Sequence, residues 1–585
     1  MRIAVLDLDK CEPKKCHYMC IKFCPGVRMG EETIVVDEDT KKPIISEVLC
    51  TGCGICIHKC PFDAITIVNL PEELEQPIHQ FGANSFRLYR LPIPRENQVL
   101  GLLGANGVGK TTAIRILCGE ITPNLGEYAS EVKHDLSQYF RGSELQTYFE
   151  RLESRDLKVV MKPQQITRIP AVVKGTVEDV IGKTDERGVS DTLFRELGME
   201  EALSKDISSL SGGELQRLAL VVAMCREADV YYFDEPSSYL DITQRLNASR
   251  AIRDLSESKS VIVVEHDLAL LDYLSDYVHV LYGQPGVYGV CSVPYGVRVG
   301  INSYLRGYLK EENVRFRKEE IVFDTAGKVW KGEEIMLTYP ALRKEFEGFS
   351  FQGSEGEIHM GEVLGIIGPN AIGKSTFVKI LAGVIEGEEK FETTLKISYK
   401  PQYLKSDYEG TVDIVLMQVN RKPLSSLQLT EIVRPLGLER LLENVVSELS
   451  GGELQRLSIA VCLLQEADMY LLDEPTAYLD VEQRLAMAKV VRRFVERNEK
   501  AAMVVEHDIV SVDYLSDRLI VFSGVPGVQG EASAPVGLKD GMNSFLRSIG
   551  VTFRREPESG RPRANKEGSL LDREQKARGE YYYSS

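Results

Sequence analysis

The chain of 585 residues contains no uninterrupted apolar stretch approaching the roughly 18 residues that a membrane span requires. Its opening residues, MRIAVLDLDK, lack the long apolar core of a secretory leader, so neither a spanning segment nor export is expected. Positive charge is in deficit. The 70 Lys and Arg against 87 Asp and Glu, a net charge of -17, argue against a uniformly basic nucleic-acid binder, while leaving room for local basic patches. Cysteine is scarce beyond residue 61: eight of the 12 precede it, and Cys118, Cys225, Cys291 and Cys462 stand singly. That distribution excludes a secreted disulfide framework and predicts a thiol metal site in a reducing, cytoplasmic setting. What is present is ordinary globular material, 43% hydrophobic and 27% charged, long enough for three or four domains.

One stretch occurs twice, as residues 210–217 and again as 449–456, both reading Leu-Ser-Gly-Gly-Glu-Leu-Gln-Arg. Each copy is followed by an apolar run and then by Asp234-Glu235-Pro236 or Asp473-Glu474-Pro475, which identifies a duplicated unit. Small residues leading into a helix present free backbone N–H groups and the positive end of the helix dipole, a grip for phosphate. The plain alternative is a glycine-rich helix start, but a phosphate loop precedes each copy. The octapeptide resembles the signature loop of the ATP-binding-cassette family, in which the loop of one cassette closes on the nucleotide held by the other.

The first unit carries Gly104-Ala105-Asn106-Gly107-Val108-Gly109-Lys110-Thr111, followed by Thr112, after the apolar strand 99–103. In such a loop the backbone cradles phosphates, Lys110 reaches the β and γ oxygens, and the Thr111 hydroxyl ligates Mg²⁺. Residues 230–235 read as a buried strand ending in two carboxylates: Asp234 to hold Mg²⁺ through water and Glu235 to polarise the hydrolytic water. Neither could sit at a buried strand end without a cation or proton. Gln164 in Lys162-Pro163-Gln164 resembles the family's Q-loop, Tyr239-Leu240-Asp241 its D-loop, and His266 its switch histidine facing the γ-phosphate. Phe81 and Phe86, just upstream, are candidates to stack on adenine, the alternative being ordinary core. The second unit repeats these parts as Gly368, Asn370, Ala371, Gly373, Lys374, Ser375 (for Mg²⁺), Thr376, Gln402, Asp473, Glu474, Tyr478-Leu479-Asp480 and His507. Ala371 stands where the first unit has Gly107. If that position requires positive φ, an L side chain there is strained; if φ is negative, Ala fits freely.

Phosphate and signature loops of one unit cannot meet each other, so two head-to-tail sites are expected. The first joins Lys110, Thr111, Gln164, Asp234, Glu235 and His266 to Ser450, Gly452 and Glu453; the second joins Lys374, Ser375, Gln402, Asp473, Glu474 and His507 to Ser211, Gly213 and Glu214.

The N-terminal cysteines form two runs, Cys11-x4-Cys16-x3-Cys20-x3-Cys24-Pro25 and Cys50-x2-Cys53-x2-Cys56-x3-Cys60-Pro61. The second has the bacterial ferredoxin spacing, in which the fourth thiolate crosses to the other cluster. That crossover assigns Cys11, Cys16, Cys20 and Cys60 to one [4Fe–4S] cluster and Cys24, Cys50, Cys53 and Cys56 to its partner. The wider first run departs from the pattern, and zinc is the alternative. No flavin or electron-acceptor motif accompanies them, favouring a structural or mechanical role. Residues 64–70 read as a strand, with a Pro- and Glu-rich link at about 71–80.

From Lys110 to Gln164 there are 54 positions, against 28 from Lys374 to Gln402, which predicts an insert of about 26 residues near 131–156. It reads as helix, turn and helix, a partner-contacting projection or else a hairpin packed on its own cassette. Gly- and Pro-punctuated segments recur after both units (285–306 and 526–547) and suggest turn-built hinges. Beyond about 554 the polar, interrupted sequence reads as a disordered tail.

Taken together, the chain up to the tail resembles the class E cassette ATPases of archaea and eukaryotes, the ribosome-recycling factors also called RNase L inhibitors. The fold expected is multidomain α/β and α+β: a ferredoxin-like domain over 1–75, cassettes over 76–281 and 321–521, hinge segments over 282–320 and 522–553, and the tail. The resemblance implies an ATP hydrolase that splits ribosomes, aided by a release-factor-like partner, and stays on the small subunit, with a link to translation initiation. Intramolecular pairing of the cassettes implies a monomer. A transporter motor would have no use for the cysteine runs, a translation-regulating tandem cassette would carry a charged helical linker, and an ATP-driven redox enzyme would need an acceptor site.

Overall fold

The computed structural model describes residues 2–69, 76–129, 134–323, 334–388, 393–402, 408–420 and 423–582. Near the N-terminus, strands Arg2–Leu6 and Ile65–Asn69 pair antiparallel, as do Ile34–Val36 and Pro43–Ile45. Two one-turn helices, Met19–Phe23 and Ile55–Lys59, pack together and bury Cys20 and Cys56. The apolar core here is little more than Ala4, Leu6, Ile34, Ile45, Ala64 and Ile65 around the thiols. So small a core supplies only a few kcal/mol, and the unit depends on what its cysteines bind and on docking. Docking is visible. Asn84, in left-handed conformation (φ 50°), donates from Nδ2 to Ala4 O (2.9 Å) and Ile45 O (3.0 Å) and accepts from Ile45 N (2.8 Å). Arg87 closes the contact with both carboxylate oxygens of Glu47 at 2.7 and 2.8 Å. Of the link expected at 71–80, residues 71–75 lie outside the described ones, and His79–Gln80 is already an edge strand of the first cassette's sheet.

Each cassette is built on a nine-stranded sheet with the same order. In the first, Val99–Leu103 is central, flanked in parallel by Ser260–Val264 and Tyr277–Gln284, with Val230–Asp234 and Val159–Lys162 beyond. All of Val99–Leu103, Val230–Asp234 and Ser260–Val264 are buried, which is why they read as continuous apolar runs rather than alternating ones. Their carboxyl ends lie along one edge, where open parallel sheets hold ligands. The second cassette repeats this with Val363–Ile367 between Ala501–Val505 and Arg518–Val525.

The duplicated Gly/Pro segments are not free hinges built of turns. Their first halves are hairpins of the cassette sheets: Tyr288–Cys291 pairs with Tyr277–Gln284 and Gln529–Ala532 with Arg518–Val525, so boundaries at 281/282 and 521/522 would cut strands. Packing explains the repeated glycines. A Cβ on Gly289 would sit 1.9 Å from Val108 O, and one on Gly530 2.0 Å from Ile372 O, so these hairpins press directly on the phosphate loops. The second halves form helices Val297–Arg306 and Leu538–Ile549.

The insert contains helices Leu136–Tyr139 and Glu144–Glu153; its residues 130–133 lie outside the described ones. One face is packed on the cassette. Leu145 and Phe149 are buried, Phe140 stacks on Phe149 with ring centroids 5.0 Å apart, and Tyr148 donates to Leu117 O.

The expectation of a disordered tail is overturned. Strands Phe553–Arg555 and Pro562–Ala564 pair, helix Leu570–Arg578 follows, and Thr552, Glu556, Arg561, Asn565 and Asp572 are all buried. Polarity here reflects pairing rather than solvation. Arg561 (0% exposed) and Arg563 both meet Asp272 of the first cassette, at 2.5 and 2.8 Å, while Arg555 meets Asp513 of the second at 3.0 Å. The complementary charges are hundreds of residues away, where composition cannot see them. Removing one member of a buried pair costs about 3–5 kcal/mol. Arg561→Leu should therefore release 550–582 to rapid amide hydrogen exchange; unchanged protection there would show that the segment is anchored otherwise.

Candidate functional site

From the buried strand Val99–Leu103 the chain turns at Gly104 and passes Asn106, Gly107 (φ 77°) and Gly109 (φ 93°) into helix Lys110–Leu117. The second loop follows the same path from Gly368 through Asn370, Ala371 (φ 55°) and Gly373 (φ 95°) into Lys374–Leu381. Lys110 Nζ donates to Gly104 O and Ala105 O, each at 2.8 Å, and Lys374 Nζ to Gly368 O (2.9 Å) and Pro369 O (2.5 Å). Each lysine thus holds the carbonyls of its own loop. Burial lowers both ammonium pKa values, that of Lys374 to about 8. Nearby carboxylates oppose the fall, and those on Lys110 begin with Asp480 of the other cassette.

Thr111 Oγ1 donates to Asp234 Oδ2 at 2.9 Å, and Asp234 Oδ1 is buried without a partner among the described residues. Burial and then Glu235 push Asp234 up to about 6, so its charge calls for a cation. Ser375 stands beside Asp473, both of whose carboxylate oxygens are buried without a hydrogen-bond partner among the described residues, and Thr112 and Thr376 occupy the next helical positions. The hydroxyl and carboxylate suit Mg²⁺, which would supply charge neutralisation at the β and γ oxygens.

Glu235 and Glu474 follow these aspartates with φ of 49° and 46°. A left-handed conformation costs an L-residue roughly 1–2 kcal/mol and gathers at functional sites. Burial would raise both carboxyls, but His266 or His507 and the loop lysine outweigh it and hold each at about 2. His507 Nε2 lies 3.2 Å from Glu474 Oε1, His266 Nε2 3.5 Å from Glu235 Oε1, and Gln164 Nε2 donates to Glu235 Oε1 at 3.4 Å. Burial pushes both histidines down, while the glutamate beside each pulls the other way. A carboxylate acceptor, an imidazole and an amide converge at each site, which is what orienting an attacking water requires.

The sites are shared between cassettes. Asn106 N donates to Asp480 Oδ2 at 3.0 Å, and Asn370 N to Asp241 Oδ2 at 2.7 Å. Tyr239 and Tyr478, both left-handed, meet edge to face between them. A cleft of about 870 Å³ brings Ser211, Gly213 and Glu214 opposite Lys374, Ser375 and Gln402. Ser211 and Ser450 begin helices Gly212–Cys225 and Gly451–Leu464 and are capped by Glu214 and Glu453, whose carboxylates accept from the serine N–H and hydroxyl. These glutamates fold back onto their own helix starts, and Lys205 lies 2.8 Å from Glu214. Gly452 passes 2.9 Å from Tyr478 O as a Cβ would be placed, so the signature glycines let helix and D-loop touch.

Phe81 is 54% exposed and Phe86 lies against Gly109 of the phosphate loop. Hairpin register matches them to Phe346, 45% exposed, and Phe349 beside Gly373, residues absent from the sequence reading although the repeat could have supplied them. Also missed were Lys162 and Lys400, two positions before each Q-loop glutamine, and Gln216 and Gln455 inside the octapeptide. All four are buried and bond backbone carbonyls around the catalytic pair.

Two further cavities lie in the N-terminal unit. One is lined by Cys11, Cys16, Cys20 and Cys60, the other by Cys24, Cys50, Cys53 and Cys56. Burial and then neighbouring thiols of the same quartet raise Cys11 to about 11 and Cys56 to about 11, and burial with the same neighbours raises Cys20 to about 12. Thiolates there need a cationic group to form.

Paired phosphate loops completed across a cassette interface define a twin-cassette P-loop ATPase with an iron–sulfur domain. Residues 93–238 and 351–477 match the ABC transporter family model, 1–32 the "Possible Fer4-like domain in RNase L inhibitor, RLI", and 43–66 the 4Fe-4S binding domain. The whole chain is 54% identical to an uncharacterized ABC transporter ATP-binding protein of Methanocaldococcus jannaschii, and 46% identical to the translation initiation factor RLI1 of Saccharomyces cerevisiae, covering 98% of each. Among solved structures, it superposes at a TM-score of 0.94 on a model of ribosome-bound archaeal Pelota and ABCE1, at 55% identity, with 100% of this chain and 99% of that one covered. The chain belongs to the RNase L inhibitor family of class E ABC ATPases and carries two [4Fe–4S] clusters, with Mg²⁺ and ATP at its cassettes.

Ala371 does stand at positive φ. A loop free to relax must regain that conformation to wrap phosphate, so roughly 1–2 kcal/mol of strain weakens binding about five- to thirtyfold. In the full chain with the other site silenced at its lysine, Ala371→Gly should tighten ATP at the second site and Gly107→Ala should weaken it at the first. Affinity within twofold of the parent for Ala371→Gly would remove strain as a source of asymmetry.

Proposed function

We propose that closure of two composite ATP sites drives this protein to split ribosomes into subunits, a recycling step with a link to translation initiation through the small subunit. The observation that carries this reading is the pair of crossed bonds from Asn106 to Asp480 and from Asn370 to Asp241, beside an iron–sulfur domain docked on the first cassette's edge hairpin. ATP bound at a phosphate loop completes its shell with the signature loop opposite, so binding pulls the halves together. Glu235 and Glu474 polarise the attacking water, His266 and His507 face the γ-phosphate, and Gln164 and Gln402 report its presence. Lys110 and Lys374 exchange their loop carbonyls for phosphate oxygens. Phe81 and Phe86, with Phe346 and Phe349, stack on adenine. Hydrolysis removes the γ-phosphate and with it the attraction between the halves.

The clusters contribute bulk and rigidity to a unit whose apolar core is small, and the unit acts as the lever that the cassettes move. A release-factor-like protein and the small subunit are its partners. Sedimentation with ribosomes and AMP-PNP tests the reading: the chain should co-migrate with small subunits, whereas pelleting with membranes would support a transport motor.

Two variants separate motor from lever. Glu235→Gln with Glu474→Gln should slow hydrolysis by two or more orders of magnitude while retaining ATP, since a general base contributes about 10²–10⁴-fold; normal turnover would overturn the glutamate assignment. Cys53→Ser should abolish splitting but leave basal ATPase largely intact. A Cys53→Ser protein that still splits ribosomes would show that the cluster domain is not the lever.

A further inference from the structure

The signature helix Gly212–Cys225 starts at Ser211, which faces the second ATP site, yet one turn later it reaches into the first. Gln216, fully buried, donates from Nε2 to Glu235 O and Pro236 O, each at 2.8 Å. Gln455, on the other signature helix, donates to Glu474 O at 2.8 Å. The Oε1 atom of each is buried without a partner among the described residues. An unsatisfied buried carbonyl costs roughly 1–3 kcal/mol, and an apolar side chain of the same length would avoid it. Packing therefore does not account for glutamine in both copies.

Glu235 O and Glu474 O are each held by a lysine as well. Lys162 Nζ donates to Asp234 O (3.0 Å) and Glu235 O (3.5 Å), and Lys400 Nζ to Asp473 O (2.8 Å) and Glu474 O (3.4 Å). Each lysine ends the strand that runs into the Q-loop of its own site. The backbone of each left-handed glutamate is thus suspended between an element of its own site and a helix whose first turn belongs to the other. A helix moves as a rigid rod, so whatever shifts its N-terminus shifts Gln216 one turn on. A left-handed residue occupies a narrow well, and displacing its carbonyl re-aims its side chain.

We infer that Gln216 and Gln455 are positioning residues that make the aim of each water-polarising glutamate depend on ATP being gripped at the opposite site. The inference rests on the assignment of Glu235 and Glu474 given above. It is tested in the full chain by following site one in a Glu474→Gln background, in which the second site holds ATP without turning it over. Gln216→Met, equal in length but without the donor, should lower kcat about tenfold or more with KM for ATP within twofold, the pattern of an interaction made only in the transition state. A double-mutant cycle with Ser211→Ala supplies a readout that a merely structural glutamine would not move. If the grip at site two acts through Gln216, the double variant should be no slower than the slower single one, within twofold.

Multiplying losses, or an unchanged kcat in a Gln216→Met protein with a normal thermal transition, would overturn the coupling. Should Gln216→Met fail to fold, Gln455→Met in a Glu235→Gln background carries the same test for site two. Full turnover at a site lacking its own glutamate would overturn the glutamate assignment and the coupling together, whereas loss there with an unaffected Gln216→Met overturns the coupling alone.

Discussion

Asp241 and Asp480 tie the two halves together with one carboxylate each. Oδ1 of Asp241 accepts from Gln244 N and caps helix Ile242–Ser256, while Oδ2 accepts from Asn370 N in the other cassette's phosphate loop. Asp480 does the same for helix Val481–Asn498 and Asn106. Both residues are 2–3% exposed, so separating the cassettes would strip a hydrogen bond from a buried carboxyl oxygen or require water to replace it. The loop that wraps one nucleotide is therefore positioned by a helix start that belongs to the partner cassette. Behind this contact, Arg245 pairs with Asp267 and Arg484 with Asp508, and the two aspartates face each other across the interface. Both arginines, with the N–H of Leu270, offset the effect of burial and of Asp508 on Asp267.

Other attachments decide what closure moves. The iron–sulfur unit meets the first cassette's edge hairpin at Asn84 and through the Glu47 to Arg87 pair. The C-terminal segment instead bridges the two, with Arg561 and Arg563 on Asp272 and Arg555 on Asp513. From the other direction, Arg317, beyond the first cassette, meets Glu482 on the second, and Glu558 of the C-terminal segment meets Arg298 and Arg306. These ion pairs include members with no solvent exposure, so they tie the two cassettes together rather than decorate the surface.

The chemistry was legible in the sequence because it is local: phosphate loops, carboxylate pairs and cysteine runs each occupy a dozen residues or fewer, with fixed spacing. Repetition then separated function from coincidence, as with His266 and His507. What escaped was set by partners distant in sequence. The 550–582 segment reads as polar and interrupted, and only Asp272 and Asp513 turn its arginines into core. The duplicated Pro-Gly-Val motif reads as a hinge, but its conserved spacing serves the contact of Gly289 and Gly530 with the phosphate-loop carbonyls. Lys162 and Gln216 sat in plain view inside repeated motifs, yet a buried lysine or glutamine shows its purpose only once the carbonyl it holds is known.

Although both sites use the same motifs, the second differs from the first in two ways that pull in opposite directions. Its phosphate loop contains Ala371 at φ 55°, which opposes wrapping. Its signature loop contains Glu214, whose charge would repel ATP, but Lys205 stands 2.8 Å away, whereas the corresponding position near Glu453 is Asn444. Lys205 is 45% exposed, and an ion pair so placed is worth at most about 1 kcal/mol, less in salt. Strain at a left-handed alanine costs roughly 1–2 kcal/mol and is not screened by ions. The backbone term is therefore the larger of the two, most clearly at physiological salt, and weaker ATP binding at the second site than at the first is the outcome expected.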